Sequence, residues 1–406
     1  MQAPTARPST LQSILATYLA FLRLPDVTRM VVVAFIGRLP IGMGGLAMLM
    51  FLRAELGNFA IAGTVVGAYF IAMAAAAPVQ GRLIDRIGPR TPLIVTGIVQ
   101  PLALLGLLLA TMQGAGYAAA LAFAILAGAF TTPITVLTRT LWRHRFEHED
   151  DRRLAFAVDS VMIELNFTLG PALVALMLAV AGPATAFAAT IAATVIGIVA
   201  FAGSPALKYW RQDDNAERHL LGPLTEWRLL VVFAASFGLT FCFGLLEVGY
   251  PAFAVYMAMP AFGGLLLSVN SIGSALGGAA YGGMKFRLPL ERQFACALGL
   301  MSLPLFAHSL SLDPAVFALT AFVAGMAIAP TLTAQTLLIS RIAPEKYATE
   351  AFTWSSTFIV SGIGVGMAVG GALFETLPLG QVFAIGAAVV LAMSLLALAL
   401  PVRAAS

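Results

Sequence analysis

The sequence predicts an all-α membrane protein, with twelve transmembrane helices in two six-helix bundles related by a pseudo-two-fold axis along the membrane normal. Three observations carry this. The chain is 60% hydrophobic and only 10% charged, with mean hydropathy +0.93, whereas a soluble domain carries roughly 25% charged residues. Apolar runs of about 20 residues, the length that crosses a bilayer, recur along the whole chain. The runs of the second half also repeat those of the first in the same order.

Residues 1–28 precede the first run. They place Leu11, Ile14, Leu15, Tyr18, Leu19 and Leu22 at helical spacing. The expectation is an amphipathic helix on the cytoplasmic membrane face. Arg7, Arg23, Pro25 and Asp26 interrupt the apolar character, and no small-residue cleavage site follows, so it does not read as a signal peptide. Twelve spans are expected at 29–52, 58–79, 91–112, 116–138, 154–181, 184–203, 228–255, 260–283, 293–311, 315–340, 349–374 and 379–401. The longest polar stretch, 204–227, holds Asp213, Asp214, Asn215 and Glu217 and reads as the cytoplasmic linker between bundles 29–203 and 228–402.

Charge sets the orientation. With both termini inside, the inner segments hold nearly all the basic residues, among them Arg82, Arg86, Arg90, Arg139, Arg143, Arg145, Arg287 and Arg341. Arg53 alone falls outside, and Arg38 is left within a span. This positive-inside bias predicts an integral protein of a bacterial-type cytoplasmic membrane. Although the pI is 9.3, the cations are dispersed over short loops, which excludes a nucleic-acid patch.

The repeat is visible residue by residue. A shift of 201 places Ala60 on Ala261, Gly63 on Gly264, Tyr69 on Asn270 and Gly81 on Gly282. Later the shift becomes 196–197, placing Pro133 on Pro330 and Gly170 on Gly366. Each half has an even number of spans, so both insert with the same topology.

Between the second and third spans lies the polar decapeptide Gly81-Arg82-Leu83-Ile84-Asp85-Arg86-Ile87-Gly88-Pro89-Arg90. The sequence alone reads as a tight basic loop, its two glycines permitting a sharp turn and its arginines holding it inside. Asp85 is not explained by topology. The stretch closely resembles the signature G-x-L-x-D-R-x-G-R-R between helices 2 and 3 of the major facilitator superfamily, with Pro89 replacing a basic residue. The resemblance covers nearly the whole chain after residue 28 and implies the superfamily fold, with alternating access by rocking of the bundles. It also implies that Asp85, with Arg82, Arg86 and Arg90, latches the cytoplasmic side near the start of helix 11, where a helix N-terminus attracts an anion. Of the longer glycine-rich motif of proton-driven drug exporters the fifth span keeps only Gly170-Pro171, with Asn166, Val174 and Ala175 where that motif has glycines; within the superfamily the chain most resembles bacterial drug- and sugar-efflux-like permeases.

Charges inside spans cost at least about 2.5–3.5 kcal/mol and default to function. Arg38 lies nine residues past Arg29 and Glu164 eleven past Arg153, which puts both about 13–17 Å deep. Equal depth makes them an expected charge pair, either a proton- or cation-exchanging site or a structural one. Asp159 lies near the inner end of the fifth span and reads as a boundary salt bridge. Asp159, Asn166 and Gly170 share one helical face by their i, i+7, i+11 spacing, and that face is a candidate cavity lining. Glu247 lies deep in the seventh span. Its repeat position is Leu46, so a carboxylate in only one half points to coupling or binding. The alternative is a hydrogen bond to backbone freed by Pro251. Tyr69, Asn270 and Gln335 read as pathway groups or helix–helix hydrogen bonds.

His144 and His148 stand four apart in a charged loop without a third ligand, so no metal is expected. No phosphate-binding glycine loop with a lysine is present, so ATP is not expected to drive the chain. Cys242 and Cys296 lie in apolar spans and form no framework. The expected function is not enzymatic. It is secondary active transport by a monomer in the lipid bilayer, as proton-coupled efflux of a small, partly apolar molecule, with the proton as coupling ion and no cofactor. The alternatives are an importer or facilitator of a metabolite or organic acid, and a translocator of lipids or amphiphiles.

Overall fold

The computed structural model describes residues 18–146, 148–204, 207, 222–284, 286–344 and 348–402. The expected amphipathic helix lies mostly outside these residues, and so does most of the linker. The main helices are α1 (Pro25–Leu56), α2 (Phe59–Ile87), α3 (Arg90–Met112), α4 (Gly116–Ala129), α5 (Ile134–Arg145), α6 (Glu149–Ala202), α7 (Trp227–Tyr256), α8 (Phe262–Gly283), α9 (Leu290–Leu310), α10 (Pro314–Ile342), α11 (Ala348–Thr376) and α12 (Leu379–Ala397).

Local chemistry fixes several ends. Gly57 closes α1 in the left-handed region (φ 94°), its N–H donating to the Arg53 carbonyl. The Asn58 side chain accepts from the Ile61 N–H and starts α2. Asp313 caps α10 by accepting from the Ala315 and Val316 N–H groups, with Pro314 at the first helical position.

Three expectations change. α2 runs through most of the decapeptide, so the turn is confined to Gly88 (φ 81°) and Pro89. Gly81 is helical, and Ile84 is buried within that last stretch. The fourth span is two helices rather than one. Pro133, with no N–H to donate, ends the break between α4 and α5. The fifth and sixth spans form one helical run, broken at Gly182 (φ 81°, ψ 175°) before Pro183. The chain reverses there. A β-carbon built on Gly170 would lie 2.7 Å from Gly42 Cα, and one on Gly197 would lie 2.7 Å from Gly37 Cα. A straight helix would separate residues 170 and 197 by about 40 Å, far more than the about 7.5 Å between 37 and 42.

Packing reproduces the repeat. α1 packs on α6 as α7 packs on α11; α2 on α4 as α8 on α10; α3 on α6 as α9 on α12. The bundles meet through α2 with α11 and, equivalently, α8 with the first half of α6. At those seams Gly264 lets the Pro171 carbonyl approach, where a β-carbon would sit 2.6 Å from the oxygen. Its repeat mate Gly63 does the same for the carbonyl of Met367, the repeat mate of Pro171. A side chain at either glycine forces the bundles apart. Outward-facing Leu105, Leu109, Val199, Leu303 and Leu395 are exposed, an apolar surface suited to lipid.

Candidate functional site

A cavity of about 380 Å³ runs along the inner wall of the first bundle and touches α11 of the second. On α2 its lining extends from Tyr69 to Ile84, about 22 Å along the helix. It therefore reaches from mid-membrane to the arginine-rich end. At the opposite end the bundles are closed. The glycine contacts above seal both seams, and the Phe59 N–H at the start of α2 donates to Glu375 Oε1 on α11 at 2.6 Å.

The walls are mainly apolar, with Met48, Phe70, Met73, Leu104 and Phe187. The polar part comes from the break before α5. With the helix interrupted, Thr131 and Thr132 turn toward the cavity, and Gln100 Oε1 on α3 accepts from the Thr132 N–H (2.9 Å) and hydroxyl (3.0 Å). The Thr131 hydroxyl donates to the Tyr69 phenol oxygen at 3.2 Å. Thr190 and Thr194 of α6 donate to the carbonyls of Ala186 and Thr190, which satisfies them in apolar surroundings and leaves lone pairs for a ligand. Ser356 and Thr357 face them from α11. The sequence reading missed all of these except Tyr69; Thr131 and Thr132 alone carried a signal, the Thr-Thr-Pro interruption of an apolar span.

The buried charges pair differently from expectation. Arg38 Nη1 donates to Asp159 Oδ1 at 2.6 Å, with both side chains 2% exposed, and Arg139 Nε stands 3.4 Å from Oδ2. Arg38 is thus paired with Asp159 and not with Glu164. Five residues along a helix is about 140° of rotation, so only one of the two carboxylates can face α1. Asp159 does make the expected salt bridge with arginine, but it is buried and does not reach water. The Asp159, Asn166 and Gly170 face packs against α1 at Gly42 instead of lining the cavity. Asn166 Nδ2 donates to the Met162 carbonyl. Glu164 shares the opposite face with Pro171 and Ala175, the residues that meet Gly264 of the second bundle.

Glu247 of α7 reaches the other bundle. A β-carbon on Gly45, a cavity-lining residue of α1, would lie 3.5 Å from Glu247 Oε2 and 3.7 Å from Phe70. Among the described residues no hydrogen bond or ion pair to its carboxylate is found, including any to backbone near Pro251.

Asn270 Nδ2 donates to the Ala321 carbonyl of α10 (2.9 Å), and Gln335 Nε2 to Ser355 Oγ of α11 (2.7 Å). Both join helices of the second bundle. The Asp85 side chain lies outside the described residues, so the latch with Arg82, Arg86 and Arg90 is not described. α5 ends at Arg145, so His144 and His148 do not share a helix.

Residues 30–314 match the family model of the Major Facilitator Superfamily, more than half of the chain. None of the curated proteins matches the sequence. Among solved structures, the nucleoside transporter NupG is similar at TM-score 0.74 and 13% identity, over 93% of this chain and 99% of that one. A POT family transporter in complex with a thioalcohol-conjugated peptide is similar at TM-score 0.70 and 11% identity, over 92% and 95%. At these identities the likeness is one of fold. Taken with the eleven long apolar helices among the described residues, one of them folded back at Gly182, and with the two repeat-related bundles, the family match establishes that this chain belongs to the major facilitator superfamily and is an integral membrane transporter.

Proposed function

We propose that the chain is a proton-coupled exporter of a small, partly apolar molecule, a monomer of a bacterial-type cytoplasmic membrane with both termini inside. The cargo enters the cavity from the arginine-rich, cytoplasmic end. Bundles 29–203 and 228–402 then rock about it, opening the end now held by Gly63, Gly264 and Glu375. The observation that carries the reading is Glu247, a carboxylate with no described partner, set against the cavity wall at Gly45 across the bundle seam. Glu247 is half-buried, and beside Gly45 and Phe70 its charged form loses hydration when the seam is closed. The charge state of Glu247 is therefore tied to whether that seam is closed, and this is the linkage a coupled exchanger requires. The mostly apolar wall supports a partly apolar cargo.

A second reading is uptake of a hydroxyl-rich metabolite, favoured by the cluster of Gln100, Thr131, Thr132, Thr190 and Thr194 on one wall. Purified protein in vesicles, given a radiolabelled compound panel and an imposed pH gradient, separates the two. Export predicts movement of the compound against the direction of proton flow. Movement with the protons supports uptake, and movement indifferent to the gradient rules out coupling.

A further inference from the structure

Among the described residues the cavity lining includes one charged side chain, Arg139; the nearest carboxylate of the other bundle, Glu247, stands behind the wall at Gly45. Arg139 sits on α5, one turn from Thr135, and its side chain is 53% exposed. Its only described partner is Asp159, reached through Nε at a long 3.4 Å, so the Nη1 and Nη2 fork makes no described hydrogen bond. Asp159 does not cancel this charge, because its close contact, at 2.6 Å, is with Arg38. Two guanidinium groups thus share one carboxylate and leave one net positive charge at the wall. Arg38 is 1% exposed, and its Nε and Nη2 have no described partner, so the excess is not relieved behind the wall. An arginine fork matches a carboxylate in shape and charge. Met48, Phe70, Met73 and Phe187 offer an apolar surface deeper in the same cavity.

We infer that the cargo is an amphipathic organic anion, its carboxylate held by the Arg139 fork and its apolar body directed toward Phe70 and Phe187. The inference rests on the cavity being the transport site and names the chemistry it selects; it does not depend on proton coupling. Arg38 and Asp159 act as positioning residues. Asp159 engages Nε, which leaves the fork without a described partner.

The test is equilibrium binding to the full chain in detergent, with three matched probes: 4-phenylbutyrate, 4-phenylbutanol and 4-phenylbutylamine. The carboxylate is expected to bind tightest and the amine weakest. Arg139→Gln weakens the carboxylate about tenfold or more, as loss of one charge-assisted contact implies, and leaves the alcohol unchanged. Arg139→Lys keeps part of the preference. Binding is read at fixed pH with no proton gradient, which separates failure of the coupling reading from failure of this one. Equal binding of the three probes, preference for the amine, absence of binding by any probe, or an unchanged preference in Arg139→Gln overturns the inference. Unaltered alcohol binding shows that the glutamine variant is folded.

Discussion

Replacing Asp159 by leucine leaves Arg38 buried without its partner, 1% exposed and far along α1 from water. Removing one member of a buried ion pair costs about 3–5 kcal/mol, because the surviving charge keeps its desolvation penalty. Replacing both, as Arg38→Met with Asp159→Leu, removes the charge and the penalty together and is expected to fall within about 1 kcal/mol of the native chain. Arg139→Gln behaves differently. Its side chain is 53% exposed and 3.4 Å from the carboxylate, so screening limits its stability cost to about 0–1 kcal/mol. Reversible unfolding in mixed detergent micelles of the native chain, Asp159→Leu, the single variant Arg38→Met and the double variant closes the double-mutant cycle, with Arg139→Gln measured beside it. If Asp159→Leu costs less than about 1 kcal/mol, or the double variant is no more stable than the single one, the pair is not the buried unit argued here.

Four further outcomes follow from the geometry. Gly63→Leu drives a side chain into the Met367 carbonyl, so cysteines placed at the outer seam become more reactive to a membrane-impermeant maleimide; unchanged labelling contradicts the seal. Glu375→Ala removes the acceptor of the Phe59 N–H and raises the same labelling without unfolding the chain, which circular dichroism checks. Gln100→Leu strands the Thr132 N–H and hydroxyl and lowers stability by about 1–3 kcal/mol in the same unfolding assay. Glu164→Gln preserves the pH dependence of transport and Glu247→Gln removes it; the reverse result would place coupling on α6.

How far the fold could be read from the sequence depends on what each signal encodes. Hydropathy reports crossing length, and the expected boundary between residues 181 and 184 meets the observed break at Gly182. The repeat shift correctly aligned Tyr69 with Asn270, whose carbonyls receive the close approaches of Gly128 and Gly325. Depth was read without rotation, and that is why Arg38 was matched to Glu164. Both lie at a similar height, but only Asp159 faces α1. Arg139 was assigned to a loop because the expected span ended at residue 138. The Pro133 break instead starts a fresh helix that carries it into the cavity wall. The polar wall was hidden for another reason. Gln100, Thr190 and Thr194 each stand nearly alone in an apolar run, and only tertiary packing collects them with Thr131 and Thr132.

The most direct test of proton coupling uses vesicles containing the purified protein and a trapped pH dye, exposed to a panel of small, partly apolar compounds. A transported compound is expected to drive proton movement in the opposite direction, and Glu247→Gln is expected to abolish this movement while compound binding persists. Proton movement of equal size in the glutamine variant, or compound transport without any proton movement in the native chain, would contradict it.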